Sequence, residues 1–371
     1  MAETNYGMLT GDQLQVWSRK FWRAARNNSF TSQFLGSDEN SMIQRVTELT
    51  GGDTGTKANI TLLADNEGDG VAGDAILEGN EEALNAHDTT IEMDQLRFAH
   101  RLKGRITDQK SVVNFRNHAT NNLSYQAGDR IDQMAFLTMS GIEYIYNTNG
   151  SLRPVKPAGQ NLSDLEFASD VSAPTSDRTL RVAGGGIELG DTSLITATDK
   201  LGYRHIVEIL AYAKDNYIRG VKSGGNQEVF HMFVTPKMMK NLKLDPDFIA
   251  NMRNAGVRGD KNPLFAGSNS IYVDGVLIHE FRHVFSNEKA GAGNLWGSGS
   301  DVVGGRALFC GAQALAMADI GNATFDEDEF DYKNSPGISI GKIFGFRKPT
   351  LKSLVSGSDQ DFGVITLDTA I

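Results

Sequence analysis

A single cysteine, Cys310, is the only thiol in the 371-residue chain, which excludes an intramolecular disulfide framework and any cysteine-rich zinc module. Proline is scarce, 8 residues against 40 glycines. No apolar run reaches the ~20 residues that a membrane span needs; the longest, residues 307–318, is interrupted by Gln313. The opening residues Met1-Ala2-Glu3-Thr4-Asn5 carry no basic patch followed by an apolar stretch, so no signal peptide is expected. The G-x-S-x-G elbow and the Walker A loop are also missing. What remains is a soluble, acidic, glycine-rich protein of net charge −10. At ~150 residues per domain, its length suggests two or three domains.

The charge is concentrated. Asp65, Glu67, Asp69, Asp74, Glu78, Glu81, Glu82 and Asp88 lie within 24 residues that contain no lysine or arginine, so this stretch holds −8 of the −10. Gly68, Gly70, Gly73 and Gly79 make helix unlikely there. A strand-like run, Ile60-Thr61-Leu62-Leu63, precedes it, and a longer one over residues 89–106 follows. In the second run Leu96, Phe98, His100 and Leu102 alternate with Arg97, Ala99, Arg101, Lys103 and Arg105. Period two on an extended chain separates an apolar face from a basic one. Residues 57–106 therefore read as a long projecting hairpin with an acidic tip and a basic root; an ordinary surface hairpin with a solvated face is the alternative.

Residues 10–26 read as a short amphipathic helix. Leu14, Trp17, Phe21, Ala24 and Ala25 share one side, and Arg19, Lys20, Arg23 and Arg26 the other. The strongest helical periodicity spans residues 108–145, through Val112, Phe115, Ala119, Leu123, Ala127, Ile131, Met134 and Ile142, with Gly128 and Gly141 placed to bend or end it. An extended connection over 147–186 follows, then a helix over 198–218 and a strand over 228–235. Pro236 opens another helix at its favoured first position, and a strand pair turns at Asp274-Gly275. Residues 307–319 form an apolar segment, with final strands at 324–332, 338–346 and 362–368. The elements lack regular alternation, which points to α+β.

Three motifs invite a chemical reading. His279-Glu280-Phe281-Arg282-His283 matches H-E-x-x-H, which binds zinc when both histidines share a helix face. Here Val276-Leu277-Ile278 precedes it, and on a strand positions i and i+4 lie ~13 Å apart, too far for one ion. Gly68-Asp69-Gly70-Val71-Ala72-Gly73 matches the dinucleotide fingerprint, but the surrounding carboxylates would repel a pyrophosphate. Asp65 to Gly70 resembles half a calcium loop, yet its twelfth position is Ile76 rather than glutamate. Loose divalent binding there, or at Asp326-Glu327-Asp328-Glu329, is the weaker alternative to a solvated loop. The chemical inventory is poor, so no enzyme activity, metal or cofactor is expected, and a structural role is favoured.

The order of parts resembles Hong Kong 97-type capsid proteins: basic arm, charged hairpin, long helix, mixed remainder. Several blocks are similar to major capsid proteins of tailed phages of the coliphage N-four type. They are Glu78-Gly79-Asn80-Glu81-Glu82-Ala83-Leu84, Asp94-Gln95-Leu96-Arg97, Asn262-Pro263-Leu264-Phe265, Val276-Leu277-Ile278-His279-Glu280, residues 306–314, Gly337-Ile338-Ser339-Ile340-Gly341 and Phe362-Gly363-Val364-Ile365. The resemblance implies an N-terminal arm over 1–52, an extended E-loop over 53–106, and a peripheral domain with a spine helix over 107–160. It further implies a mainly axial domain over 161–319 and C-terminal strands over 320–371 returning to the peripheral domain.

The implied function is a major capsid protein that self-assembles as pentamers and hexamers into an icosahedral shell around phage double-stranded DNA. It would be assembled in the host cytoplasm and resident in the virion. Portal and scaffold proteins, and a decoration protein, are the implied partners, with no sequence-specific DNA binding and no membrane. An encapsulin-like compartment and a zinc metallopeptidase are the alternatives. The acidic residues of the hairpin tip are expected to meet basic residues of an adjacent subunit, either Arg97, Arg101, Lys103 and Arg105 or the arm set Arg19, Lys20, Arg23 and Arg26, with Trp17 and Phe21 as further inter-subunit contacts of the arm. With no lysine in the tip, a lysine-borne covalent cross-link is not expected there.

Overall fold

The computed structural model describes residues 29–47, 55–63, 70–79, 81, 86–106, 115–223, 227–254, 270–291, 293–353 and 356–371. Strands β1 (Leu35–Gly36) and β2 (Ile43–Val46) come first, followed by the antiparallel pair β3 (Lys57–Leu63) and β4 (Ala86–Glu92), then β5 (Asp94–Arg101) and the long helix α1 (Phe115–Ser140). Next are β6 (Thr179–Ala183), β7 (Gly186–Leu189), helix α2 (Tyr203–Asp215), β8 (Val221–Ser223), β9 (Gln227–Val234), and helices α3 (Pro236–Leu244) and α4 (Pro246–Asn254). The chain ends with β10 (Ser270–Val273), β11 (Val276–Glu280), β12 (Gly304–Cys310), β13 (Leu315–Phe330), β14 (Ser335–Arg347), β15 (Thr350–Lys352), β16 (Asp359–Asp361) and β17 (Val364–Ala370).

Two sheets organise the molecule. A five-stranded sheet runs β1-β2-β13-β14-β5, and an eight-stranded sheet runs β10-β11-β9-β12-β17-β6-β7 with β8 paired to β9. Helix α1 packs Ala119, Leu123, Ala127 and Ile131 into one core with Phe325, Ile338, Ile340 and Phe344 of the first sheet and Leu308, Cys310 and Val364 of the second. Helices α2, α3 and α4 cover the opposite face of the eight-stranded sheet through Ile206, Ile209, Met238, Leu242 and Phe248, meeting Phe230, Phe309, Ile365 and Leu367. Residues 307–310 thus alternate between two buried faces, which is why they read as an unbroken apolar run.

Local chemistry explains most boundaries. Helix α1 ends in a Schellman motif: Ile142 N–H donates to the Leu137 carbonyl at 3.0 Å and Gly141 N–H to that of Thr138 at 3.1 Å, with Gly141 at φ +67°. A Cβ at Gly141 would also lie 2.6 Å from the Ser172 carbonyl oxygen. Thr235 caps α3, its hydroxyl accepting from Met238 N–H at 3.2 Å, with Pro236 in the first turn. Asp274 and Gly275, at φ +47° and +84°, make the tight turn between β10 and β11.

The structure corrects several expectations. The projecting hairpin consists of β3 and β4 alone, paired from Lys57↔Glu92 to Leu63↔Ala86. At Met93, which is buried, the chain leaves it, and β5 joins the five-stranded sheet beside β14. The basic stripe therefore belongs to a sheet face and not to the hairpin root. Gly345 permits that crossing, because the Glu92 carbonyl oxygen would lie 2.0 Å from a Cβ there. The long helix stops at Ser140, so Ile142 lies beyond it. Residues 307–319 divide into β12 and the start of β13, and α4 follows α3 where no second helix was expected. Within residues 320–371, β14 lies in the five-stranded sheet, but β17 pairs with β12 and β6 in the eight-stranded one, with every residue buried. Its buried residues include the polar Thr366, Asp368 and Thr369 as well as Val364, Ile365 and Leu367, because the strand lies between β12 and β6 with both faces covered.

Candidate assembly interfaces

The root of the β3–β4 hairpin is packed: Ala58, Ile60, Ile91 and Met93 close on Val46, Ala316 and Ala318. Lys57 and Glu92 form an ion pair of 2.6 Å across its base. Residues 72–79 and Glu81 are exposed, including Asp74 and Glu78, and Gly70, Gly73 and Gly79 take left-handed φ angles. Glu81 accepts the Gly79 N–H at 2.7 Å. Asp88 is exposed on β4. Asp65, Glu67, Asp69 and Glu82 lie outside the described residues, as do Trp17, Arg19, Lys20, Phe21, Arg23 and Arg26.

Strand β5 keeps the expected alternation: Leu96 and Phe98 face the core, and Arg97, Ala99 and Arg101 are exposed. Two of the four basic residues are engaged by the tip of the β13–β14 hairpin. Arg101 donates from Nε to Ser335 Oγ at 2.9 Å, and its guanidinium lies 4.3 Å above the Phe330 ring. Arg105 donates from Nε to the Lys333 carbonyl at 3.2 Å and from its backbone N–H to Asn334 Oδ1 at 3.3 Å. Arg97 and Lys103 are exposed.

An unanticipated site holds the segment that enters the described fold at Ser29. The buried carboxylate of Asp132 on α1 accepts four hydrogen bonds: Ser29 Oγ at 2.7 Å, Thr31 Oγ1 at 2.7 Å, Phe30 N–H at 2.8 Å and Thr31 N–H at 3.0 Å. Phe30 stacks on Phe281 with centroids 4.2 Å apart, and Phe34 packs edge-on against His231, Phe233 and His279. An acid between Ile131 and Met134 in the buried stripe was the available signal, since an inward carboxylate demands donors.

Beneath that segment, His231 Nδ1 and His279 Nε2 share a hydrogen bond of 3.1 Å. Burial first, then the His231 ring, lowers the His279 pKa from 6.5 to about 4. The folded state therefore binds fewer protons there than the unfolded chain between those values, and stability falls as pH is lowered through that window. The effect is expected to be roughly 2 kcal/mol. Denaturation midpoints at neutral and mildly acidic pH should converge in His279→Phe; an unaltered pH dependence counts against this assignment.

The H-E-x-x-H residues do not converge. His279 sits on β11 against His231, whereas His283 lies beyond the strand, 2.7 Å from Asp129 Oδ1. That contact, with Arg282, holds the Asp129 carboxyl down at about 2. No group of three or more potential ligands occurs among the described residues. Of the glycine motif, Gly70 and Gly73 precede no helix among the described residues, and residues 326–329 lie on β13. The Cys310 thiol is buried, and burial raises its pKa. No helix among the described residues is long and apolar enough to cross a membrane.

Comparison with known proteins matches residues 5–371 to the phage capsid protein family. The major capsid protein of Pseudomonas phage KPP25 is 49% identical over 371 residues, covering 99% of this chain and 97% of that protein. The capsid of Ralstonia phage GP4 superposes with a TM-score of 0.72 at 23% identity, covering 92% of this chain and 91% of that one. The capsid of cyanophage Pam1 gives 0.71 at 17% identity, covering 99% of each chain. The fold is the Hong Kong 97-type capsid fold, and neither the peptidase nor the encapsulin alternative is supported. The chain belongs to the phage capsid protein family and is a structural protein of the virion capsid, not an enzyme.

Proposed function

We propose that this major capsid protein assembles as pentamers and hexamers into an icosahedral shell enclosing double-stranded DNA, in the host cytoplasm and around a portal. A scaffold, where one is used, is a separate protein. In this reading α1 and the five-stranded sheet form the peripheral domain. The eight-stranded sheet with α2, α3 and α4 forms the axial domain, which meets its copies at the five- and six-fold centres. The observation that carries it is the β3–β4 hairpin, packed at its root and exposed over its acidic tip. An arm of this kind reaches a neighbouring copy and buries area that a compact face does not, so many modest contacts sum to a stable closed shell.

The tip carboxylates Asp74, Glu78 and Glu81, with Asp65, Glu67, Asp69 and Glu82, meet cations of an adjacent subunit. Arg101 and Arg105 already serve their own chain. Packed DNA contacts the wall through its phosphate backbone without base-specific readout. Electron microscopy of the expressed chain is expected to reveal closed shells or capsomers. A protein that remains monomeric at high concentration, with and without a scaffold protein, overturns the reading.

A further inference from the structure

Two imidazoles lie beneath the segment that enters the described fold at Ser29. His231 of β9 and His279 of β11 stack with centroids 5.4 Å apart and share a hydrogen bond of 3.1 Å between Nδ1 and Nε2. Such a bond needs one bare and one protonated nitrogen, so it is lost when both rings are charged. The surroundings are aromatic. Phe34 stands edge-on to both rings at 5.2 Å, Phe30 edge-on to His279 at 6.1 Å, and Phe233 stacks on His279 at 5.3 Å. His279 is 9% exposed.

Little in these surroundings answers an added proton. The covering segment, residues 29–36, holds neither acid nor base. Along the strands, Val229 and Phe233 flank His231 and Leu277 and Phe281 flank His279 on the same face, whereas Glu228 and Glu280 alternate to the other. Ser270 of β10 opposes His279, with the exposed Tyr272 two residues on, and the buried thiol of Cys310 on β12 opposes His231. From α1, Asp132 is engaged by Ser29, Phe30 and Thr31, and Asp129 by Arg282 and His283 beyond Phe281. Burial alone holds the His231 pKa down, and burial followed by the His231 ring does so for His279, with no carboxylate opposing either.

We propose that the His231–His279 pair is an acid-operated latch: protonation of the pair releases residues 29–36, with Phe30 and Phe34, while α1 and both sheets stay folded. Lifting the two phenyl rings returns the imidazoles to water, where they take up protons at their ordinary affinity. The docked segment therefore binds fewer protons than the released one between pH 6.5 and about 4. Docking is complete above that window and weakens as pH falls through it. A window of this width allows up to roughly a 300-fold change in the docking equilibrium. The latch is a property of the single subunit and does not rest on the shell reading.

Hydrogen exchange by mass spectrometry on the full-length chain, corrected for the intrinsic pH dependence of exchange, provides the test. Between pH 7 and pH 4.5, protection of the amides of residues 30–36 is expected to fall roughly fiftyfold, while those of β12 and β17 keep theirs. Protection of the segment that does not change with pH overturns the latch. So does an equal loss across β12 and β17, which marks global unfolding. His279→Gln keeps a partner for His231 and cannot titrate, so most of the pH dependence should disappear. Should glutamine loosen the aromatic packing, His279→Phe gives the same comparison. Asp132→Asn separates the other acid that holds the segment: it should lower protection at every pH and leave the slope intact. A response like that of the unaltered chain in both His279 variants, or a slope abolished by Asp132→Asn, moves the switch to Asp132 and overturns the proposal.

Discussion

Replacing Arg306 with Leu is expected to destabilise the subunit by about 3–5 kcal/mol, the cost of stranding a buried charge. Arg306 on β12 forms a two-pronged pair with Asp368 on β17, Nε to Oδ1 at 2.8 Å and Nη2 to Oδ2 at 2.8 Å. Its remaining nitrogen, Nη1, donates at 2.8 Å to the carbonyl of Ser140, the last residue of α1. One side chain therefore fastens the centre of the eight-stranded sheet to the end of the helix beneath the five-stranded sheet. Asp368 is fully buried, so its carboxylate has no access to water once the guanidinium is gone. Asp368→Leu alone strands the guanidinium and should be comparably harmful. The double variant, Arg306→Leu with Asp368→Leu, should recover all but about 1 kcal/mol, the remainder reflecting the lost bond to the Ser140 carbonyl. Urea denaturation of the three proteins checks this. Additive losses in the double variant would contradict the account, because a coupled pair is non-additive.

Asp132→Ala is expected to free the segment that begins at Ser29. Its carboxylate accepts four hydrogen bonds from three consecutive residues, Ser29, Phe30 and Thr31, so truncation leaves buried donors unanswered. Bonds to an ionised acceptor contribute about 1.5–3 kcal/mol each but are not additive within one cluster. A total near 3 kcal/mol corresponds to roughly a hundredfold faster amide exchange at Phe30 and Thr31, and hydrogen exchange by mass spectrometry reads it directly. Asp132→Asn should be intermediate, since an amide offers one acceptor oxygen and turns its N–H groups toward other donors. The stack of Phe30 on Phe281 persists in both variants, so the loss is local and the subunit stays folded. Unchanged exchange at both amides would show that the aromatic contacts alone hold the segment. Because this is where residues 1–28 join the described fold, the same variant should also lower shell yield.

Much of the local structure was legible before any coordinates. The alternation at Leu96 to Arg101 marked a half-buried strand, and the spacing of Ala119, Leu123, Ala127 and Ile131 marked a helix with one buried face. Asp274-Gly275 marked a turn, Pro236 a helix start, and Gly141 a helix end. Each of these is decided by nearest neighbours along the chain: a φ angle only glycine adopts easily, a missing N–H, a period of two or 3.6.

The errors share another origin. Nothing local distinguishes a basic strand that continues a hairpin from one that crosses to another sheet, so β5 was assigned to the hairpin root. Its partner β14 lies more than two hundred residues away, and the crossing depends on Gly345 leaving room for the Glu92 carbonyl. The pairing of the last strand, β17, with β12 and β6 is likewise not visible in its own residues. Its faces are covered by the α1 core at Val364 and by the core of α2, α3 and α4 at Ile365 and Leu367, which its own residues do not encode. The partners of Asp132, and the gathering of Arg130 and Arg153 on one neutral oxygen, are invisible in one dimension, because a side chain's partner is set by three-dimensional proximity.

The amino-acid sequence by itself determined where the charge is concentrated, which segments are helical or extended, the absence of recognisable catalytic motifs, and, through its family-like blocks, the kind of particle this chain builds. Only the tertiary structure decided which groups the subunit's own cations engage. Arg101 and Arg105 are held by the β13–β14 hairpin, and Arg130 and Arg153 by Gln133. The physical reason is that a charge's energy depends on what surrounds it within a few ångströms, and that shell is assembled from residues the sequence holds far apart.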